Sequence, residues 1–448
     1  MYRRMIDLKV LFTEKVYSFP RGGITFEDNS VPSKESSETA FLPSLSIIPL
    51  KQHSGQKSVP VVSVGQNVKE GMLIARAKAP GAANIHASVP GRIIRMVSWK
   101  SAGDKIQEGI VILMEGSFEK LGKREEIFPW ENMLPHDINR TISEFGVVEM
   151  EGRGRPVSEI ISSFRSLREH VTLVVRCVFD DPWLAADYVL CKERAEAVVE
   201  GAVITAKSCK VNQIIFAISY KENELETVFL QLAEKWDIPA SVVLVGSRYP
   251  QRDRRELELV LRNFEKKADI ELGTLLVLGP ATLAAVHDAV KMQKPVLERY
   301  VAVGGSAVNH PKVMKARIGT RIRDLFSECG GFKGTPKKIA TGSPLLGQTI
   351  SDLDEPVIKT SSAFFALSKG IQHYNTRNSC ISCGECRKVC PVGLDPEDLY
   401  KKILINRYDN SLQLKLNCIG CGCCEVLCPS ALPLSFTFAS FTTRDANV

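Results

Sequence analysis

The pattern of apolar and polar positions changes character three times along the chain. Up to about residue 120, short alternating runs are punctuated by turn residues: Pro20-Arg21-Gly22-Gly23, then residues 60–74 with Gly65 and Gly71 inside them, then Ala87-Ser88-Val89-Pro90-Gly91-Arg92-Ile93-Ile94. Alternation with period two, broken by glycine, predicts short strands joined by tight turns and therefore a small barrel or sandwich. From about 135 to 290 the strands become continuously apolar, as in Val171-Thr172-Leu173-Val174-Val175, Gln213-Ile214-Ile215-Phe216-Ala217-Ile218, Ser241-Val242-Val243-Leu244-Val245 and Thr274-Leu275-Leu276-Val277-Leu278. Helix-period stretches separate them, one over 193–208 and one over 223–236. Strands covered on both faces and alternating with helices predict a Rossmann-like α/β domain. Between about 294 and 350 short β pieces return around Gly304-Gly305, Gly319, Gly330-Gly331 and Gly342, with one helix expected over 321–329. The remainder reads as helical and rich in cysteine.

Composition adds a redox argument. Thirteen cysteines would suggest disulfides in a small secreted domain, but nine of them, eight at regular spacing and Cys423 besides, crowd between residues 380 and 428 of a 448-residue chain. The basic start, Met1-Tyr2-Arg3-Arg4, leads into no long apolar core, so a secretory signal is not expected. In a reducing compartment, crowded cysteines read as metal ligands. They form two motifs, Cys380-x2-Cys383-x2-Cys386-x3-Cys390-Pro391 and Cys418-x2-Cys421-x2-Cys424-x3-Cys428-Pro429. This is the spacing of ferredoxins with two [4Fe–4S] clusters, in which the fourth cysteine serves the other cluster. The expected sets are Cys380, Cys383, Cys386 and Cys428 for one cluster, and Cys418, Cys421, Cys424 and Cys390 for the second. Cys423 is out of register and is read as a non-ligand, while the scattered Cys177, Cys191, Cys209 and Cys329 are read as core thiols. A fourth cysteine just past the start of a helix is expected in each motif.

Charge changes little. A net +7 is a modest surplus, and no basic stripe with interleaved aromatics points to nucleic acid. No run approaches the ~18 apolar residues of a membrane span. The stretch 432–441 is apolar enough either to dock on a membrane partner or to pack on the cysteine-rich module. His53 and His86 sit in β-turn contexts and read as structural.

Ahead of the twin motif, several pieces in fixed order carry a family resemblance: Arg21-Gly22-Gly23-Ile24, Ile48-Pro49-Leu50-Lys51-Gln52-His53-Ser54-Gly55, His287-Asp288-Ala289-Val290, Lys294-Pro295-Val296-Leu297-Glu298-Arg299 and Gly342-Ser343-Pro344-Leu345-Leu346-Gly347. Over nearly its whole length the chain resembles RnfC, a component of the Rnf electron-transport complex, and more distantly the flavoprotein subunit of respiratory complex I. The resemblance implies a multidomain fold. A barrel-sandwich hybrid domain of lipoyl type would span 1–120, and an α/β domain for flavin mononucleotide (FMN) and NADH would span 121–292. A β-grasp soluble-ligand-binding domain would occupy 293–355, with a helical two-cluster ferredoxin-like module over 356–448. It also implies a peripheral protein on the cytoplasmic face of the bacterial inner membrane, bound to the other subunits of an ion-translocating complex.

The cofactor machinery departs from that pattern. Where the family has a loop like G-x-G-G-A-G-F-P, this chain has Glu149-Met150-Glu151-Gly152-Arg153-Gly154-Arg155-Pro156. A bare backbone that could approach phosphate has gained two carboxylates. In Arg176-Cys177-Val178-Phe179-Asp180-Asp181-Pro182-Trp183 the family's asparagine and first glutamate are missing; Arg248-Tyr249-Pro250-Gln251-Arg252-Asp253-Arg254-Arg255 has lost both glycines; Gly279 and Ala281 replace an asparagine and a glycine. Gly152, Gly154 and Asp181 survive as candidate cofactor-binding residues of a degenerate site. The expectation is that FMN and NADH binding is lost or altered and that electrons enter from a ferredoxin or a flavoprotein donor. Alternatives are an active NADH:FMN dehydrogenase, with Arg252, Arg254 and Arg255 as a new phosphate clamp, a cobalamin-reductase-like protein, and an assembly scaffold with structural clusters.

Overall fold

A computed structural model describes residues 10–11, 15–26, 31–101, 105–116, 118, 127–167, 169–343, 345–368, 378–405 and 417–444; the basic start at residues 1–7 lies outside them. The continuous apolar runs form a parallel sheet in the spatial order Val10–Leu11, Ala240–Val245, Gln213–Ser219, Val171–Cys177, Thr274–Leu278. Every residue of Ala240–Val245 is buried, as strands need to be when helices cover both faces. One face packs on the helices Pro135–Glu144, Val157–Arg165, Ala195–Cys209 and Pro280–Val290. The other packs on Arg254–Ala268 through Leu257, Val260, Leu261 and Phe264, together with Tyr17 and Phe19. Among the four strands after residue 170, chain order runs outward from Val171–Cys177 in one direction and then jumps to its other side for Thr274–Leu278. That reversal opens a crevice beyond the carboxyl ends of these two strands, the usual ligand seat of such sheets.

The alternating N-terminal runs make two small antiparallel sheets. Leu45–Pro49, Lys105–Met114, Gly91–Ser101 and Asn67–Val68 form one; Val59–Pro60, Leu73–Arg76 and Ile85–His86 form the other. Ile48, Ile74, Ile93, Ile110 and Ile112 fill the space between. A third, mixed sheet carries Glu298–Gly304 at its centre and the helix Ile322–Glu328 on its face.

Several sequence expectations need correction, all for the same reason: pairing partners lie far apart in the chain. The third sheet takes Ala363–Leu367 beside Glu298–Gly304, so this unit runs past the expected boundary at 355. It also takes Ser37–Thr39 beside Lys312–Arg317, and Val10–Leu11 joins the α/β sheet. The strands Val10–Leu11 and Ser37–Thr39, within the expected 1–120 domain, therefore pair into the sheets of other units. The helix expected over 193–208 is Ala195–Cys209, with a further helix, Ala186–Glu193, directly ahead of it. Between them Arg194 leaves helical geometry and its guanidinium grips Asp288 at 2.6 and 3.0 Å.

Candidate functional site

The two cysteine motifs fold alike. Gly384 precedes the helix Glu385–Val389 at φ +77°, and Gly422 precedes Cys423–Val426 at φ +77°. Glycine reaches this left-handed region at little cost. The reversal lets the chain turn sharply, with the third cysteine of each motif in the following helix. The fourth cysteines sit at the helix ends, not just past their starts: Cys390 terminates the first helix, and Cys428 follows the second after Leu427.

This geometry draws the sulfurs into two groups. A small cavity is lined by Cys380, Cys383 and Cys386 of the first motif and by Cys428 of the second, with Ile381 and Leu432 among its apolar walls. In the second group, burial pushes the Cys424 thiol up, and the neighbouring thiols Cys421, Cys418 and Cys390 add to it. Burial likewise raises Cys418, with Cys421 and Cys390 among its neighbours. Backbone N–H groups point at the sulfurs, Ser382 donating to Cys380 at 3.4 Å, Leu394 to Cys390 at 3.2 Å and Leu432 to Cys428 at 3.5 Å. Among the described residues no three His, Cys, Asp or Glu side chains converge on a point that would hold a single ion. A frame of four sulfurs around a volume, with amides stabilising the thiolates, fits a cubane cluster.

Cys423 lies beside the second group, its thiol against that of Cys421. It is fully buried and packs with Ile24, Tyr249 and Val389, where the cysteine module meets the α/β domain. The Tyr249 hydroxyl donates to the Cys421 carbonyl at 2.8 Å, Gly23 N–H donates to Val389 O at 2.8 Å, and Arg255 donates to Asn417 O at 3.0 Å. The apolar stretch after Leu432 forms the helix Leu434–Arg444, with Leu434 and Phe438 buried in the module and Phe436 exposed.

Behind Tyr249 lies the crevice of the α/β sheet, where the four departed segments converge. The Glu151 carboxylate accepts from Ala281 N–H at 2.7 Å, from Thr282 N–H at 3.1 Å and from the Thr282 hydroxyl. These donors form the first turn of the helix Pro280–Val290. A Cβ on Gly279 would come within 2.3 Å of the Glu151 carboxyl carbon, and one on Gly152 within 2.4 Å of the Glu149 carboxyl carbon. Arg252 pairs with Asp187 at 3.5 Å and donates its amide to Asp180 at 2.9 Å, while Arg176 donates to Arg252 O at 3.3 Å. Burial is the main force on the acids. It raises Glu149 against the pull of Arg176, holds Asp180 up at about 7 against Arg252, and raises Asp187 with help from Glu151. Asp181 is also raised by burial, although it accepts from Ser343 and from the Trp183 amide.

The three surviving candidates do not converge on an open pocket. Gly152 lies under Glu149, and Asp181 is 3% exposed. Gly154 faces the barrel-sandwich loop, with its carbonyl accepting from Ser54 N–H at 3.1 Å. The residues here do not fit FMN, because the backbone donors that a phosphate would use are already bound to a carboxylate. Sequence reasoning misses Asp187 and Thr282. A lone acid in an apolar helix and a threonine at a helix start carry no signal of a partner far away in the chain.

Two further buried charges lie outside the crevice. Glu200 accepts from Trp130 Nε1 at 2.9 Å and Lys291 Nζ at 2.6 Å; these contacts and His287 hold it at about 2 despite its burial. Lys359 is 2% exposed and donates to the carbonyls of Asn84 at 2.8 Å and Gly146 at 2.7 Å. Burial pushes its ammonium down to about 7. Nothing in the sequence marks it.

An α/β domain joined to a twin cysteine module through Gly23, Tyr249 and Arg255 defines a modular redox protein with a ferredoxin-like part. Family models agree unit by unit: RnfC Barrel sandwich hybrid domain at 18–117, Nuo51 FMN-binding domain at 142–288, SLBB domain at 300–348 and 4Fe-4S dicluster domain at 379–432. Component C of the proton-translocating ferredoxin:NAD(+) oxidoreductase complex of Clostridium ljungdahlii is 31% identical, over 85% of this chain and 83% of its own. Component C of the ion-translocating oxidoreductase complex of Rhodobacter capsulatus is also 31% identical, over 86% and 74%. The Na(+)-translocating counterpart from Acetobacterium woodii is 26% identical, over 82% and 83%. The chain belongs to the RnfC family, found in Rnf-type ion-translocating oxidoreductases.

Proposed function

We propose that this chain is the RnfC electron-transfer component of an Rnf-type ion-translocating complex, with Cys380, Cys383, Cys386 and Cys428 holding one [4Fe–4S] cluster and Cys418, Cys421, Cys424 and Cys390 the other. When bound, the two clusters supply one-electron storage. The chain's own residues set the thiolate frames, donate backbone N–H groups to sulfur, and dock the module on the α/β domain through Tyr249 and Arg255. The observation that carries the reading is the cavity in which three thiols of one motif meet Cys428 of the other. Attachment is peripheral and through partner subunits on the cytoplasmic face. No helix among the described residues is long and apolar enough to cross a membrane. The donor is a ferredoxin or a partner flavoprotein that delivers single electrons to the module.

The test compares three variants of anaerobically purified protein. Wild type should hold about eight irons and eight sulfides. The electron paramagnetic resonance spectrum of Cys390→Ala should match that of Cys421→Ala and differ from that of Cys383→Ala. If Cys390→Ala instead reproduces Cys383→Ala, the crossed ligand sets are wrong.

The match to an FMN-binding domain favours a second reading, an NADH:FMN dehydrogenase. The filled crevice opposes it.

A further inference from the structure

We infer that Glu151 is a built-in anion: its carboxylate takes the seat on the first turn of the helix Pro280–Val290 that a cofactor phosphate would need, and so closes the crevice to FMN and NADH. This deepens the donor assignment above but does not depend on the cluster ligands. Three donors converge on the one side chain, two backbone amides and the Thr282 hydroxyl. Helix starts attract anions because their amides lack partners within the helix and point outward. A carboxylate delivered from 130 residues away satisfies them in the way two phosphate oxygens would. Thr282 also accepts from Met150 N–H at 2.9 Å, so the loop carrying Glu151 is pinned to the helix from both sides.

The two guanidiniums that act on Glu151 already have partners. Arg252 is committed to Asp187 and Arg176 to the Arg252 carbonyl. Glu149, Asp180, Asp181 and Asp187 lie around these two guanidiniums, so an arriving phosphate would have to compete with acidic side chains for them. The blander account makes Glu151 an ordinary helix cap that stabilises the dipole. The two accounts differ in one respect: removing a mere cap weakens the fold, whereas removing a built-in anion also creates an anion site.

The experiment uses the full-length, cluster-loaded protein as wild type, Glu151→Gly and Glu151→Ser; serine can still cap amides but leaves room beside them. The probes are FMN, followed by quenching of its fluorescence, and inorganic phosphate, followed by its effect on melting temperature. Wild type should show no saturable flavin binding and no phosphate protection. At least one variant should bind FMN at least tenfold tighter than wild type and gain phosphate protection. Iron and sulfide content should stay unchanged in all three, which separates this inference from the cluster assignment. Saturable flavin binding by the wild type overturns the inference whatever the variants do. Two folded variants that both gain neither ligand overturn it too.

Discussion

Replacing Lys359 with Met should remove a pH dependence of stability that the wild type carries between neutrality and pH 10. Lys359 is buried where the barrel-sandwich, α/β and β-grasp units meet, and its ammonium donates to two backbone carbonyls in place of a carboxylate. In the unfolded chain the amine is protonated below its ordinary 10.5, whereas in the folded protein it is protonated only below about 7. Between those values the unfolded state binds the extra proton, so stability rises as pH climbs from 7 to 10.5 and is lost on the way down. At about 1.4 kcal/mol per pH unit the interval from pH 7 to 10 is worth about 4 kcal/mol. Unfolding entropies of about 2.1 cal/mol/K per residue give about 0.9 kcal/mol/K for the whole chain, so the expected shift in Tm is about 4 °C. The assay is a pair of melting curves at matched pH, wild type against Lys359→Met, read as the difference so that other titrations cancel. Burial and the Lys359 charge push His53 down to about 4 and His86 to about 3. Both proteins should therefore lose stability below pH 6.5, the variant less steeply. Equal slopes for the two proteins between pH 7 and 10 would refute the reasoning.

Arg252→Met should cost about 3–5 kcal/mol, because it strands the buried Asp187 carboxylate. The double variant with Asp187→Asn should recover part of that loss, which denaturant titration of both proteins would show. Cys423→Ala should keep the full iron and sulfide content, since this thiol packs against Tyr249 and Ile24 and stands outside the ligand spacing; loss of a cluster signal would make it a ligand.

Chemistry that depends on neighbours in the chain is legible before folding. The cysteine spacing and the glycines at 384 and 422 specify a loop whose thiols converge, because the ligand geometry is built within about ten residues. Apolar runs announce the α/β sheet, since strands covered on both faces have no polar side to show. The replacement of backbone-exposing glycines by Glu149 and Glu151 is equally visible. Tertiary structure alone decided where those carboxylates went: Glu151 finds its donors at Ala281 and Thr282, across the reversal of strand order. It likewise decided that Ala363–Leu367 and Ser37–Thr39 enter one sheet, and that Arg194, between two helices, pairs with Asp288. Lys359 shows the limit most clearly. A lysine in a polar loop reads as solvated, and only the closure of three units around it removes the water and leaves two carbonyls in its place.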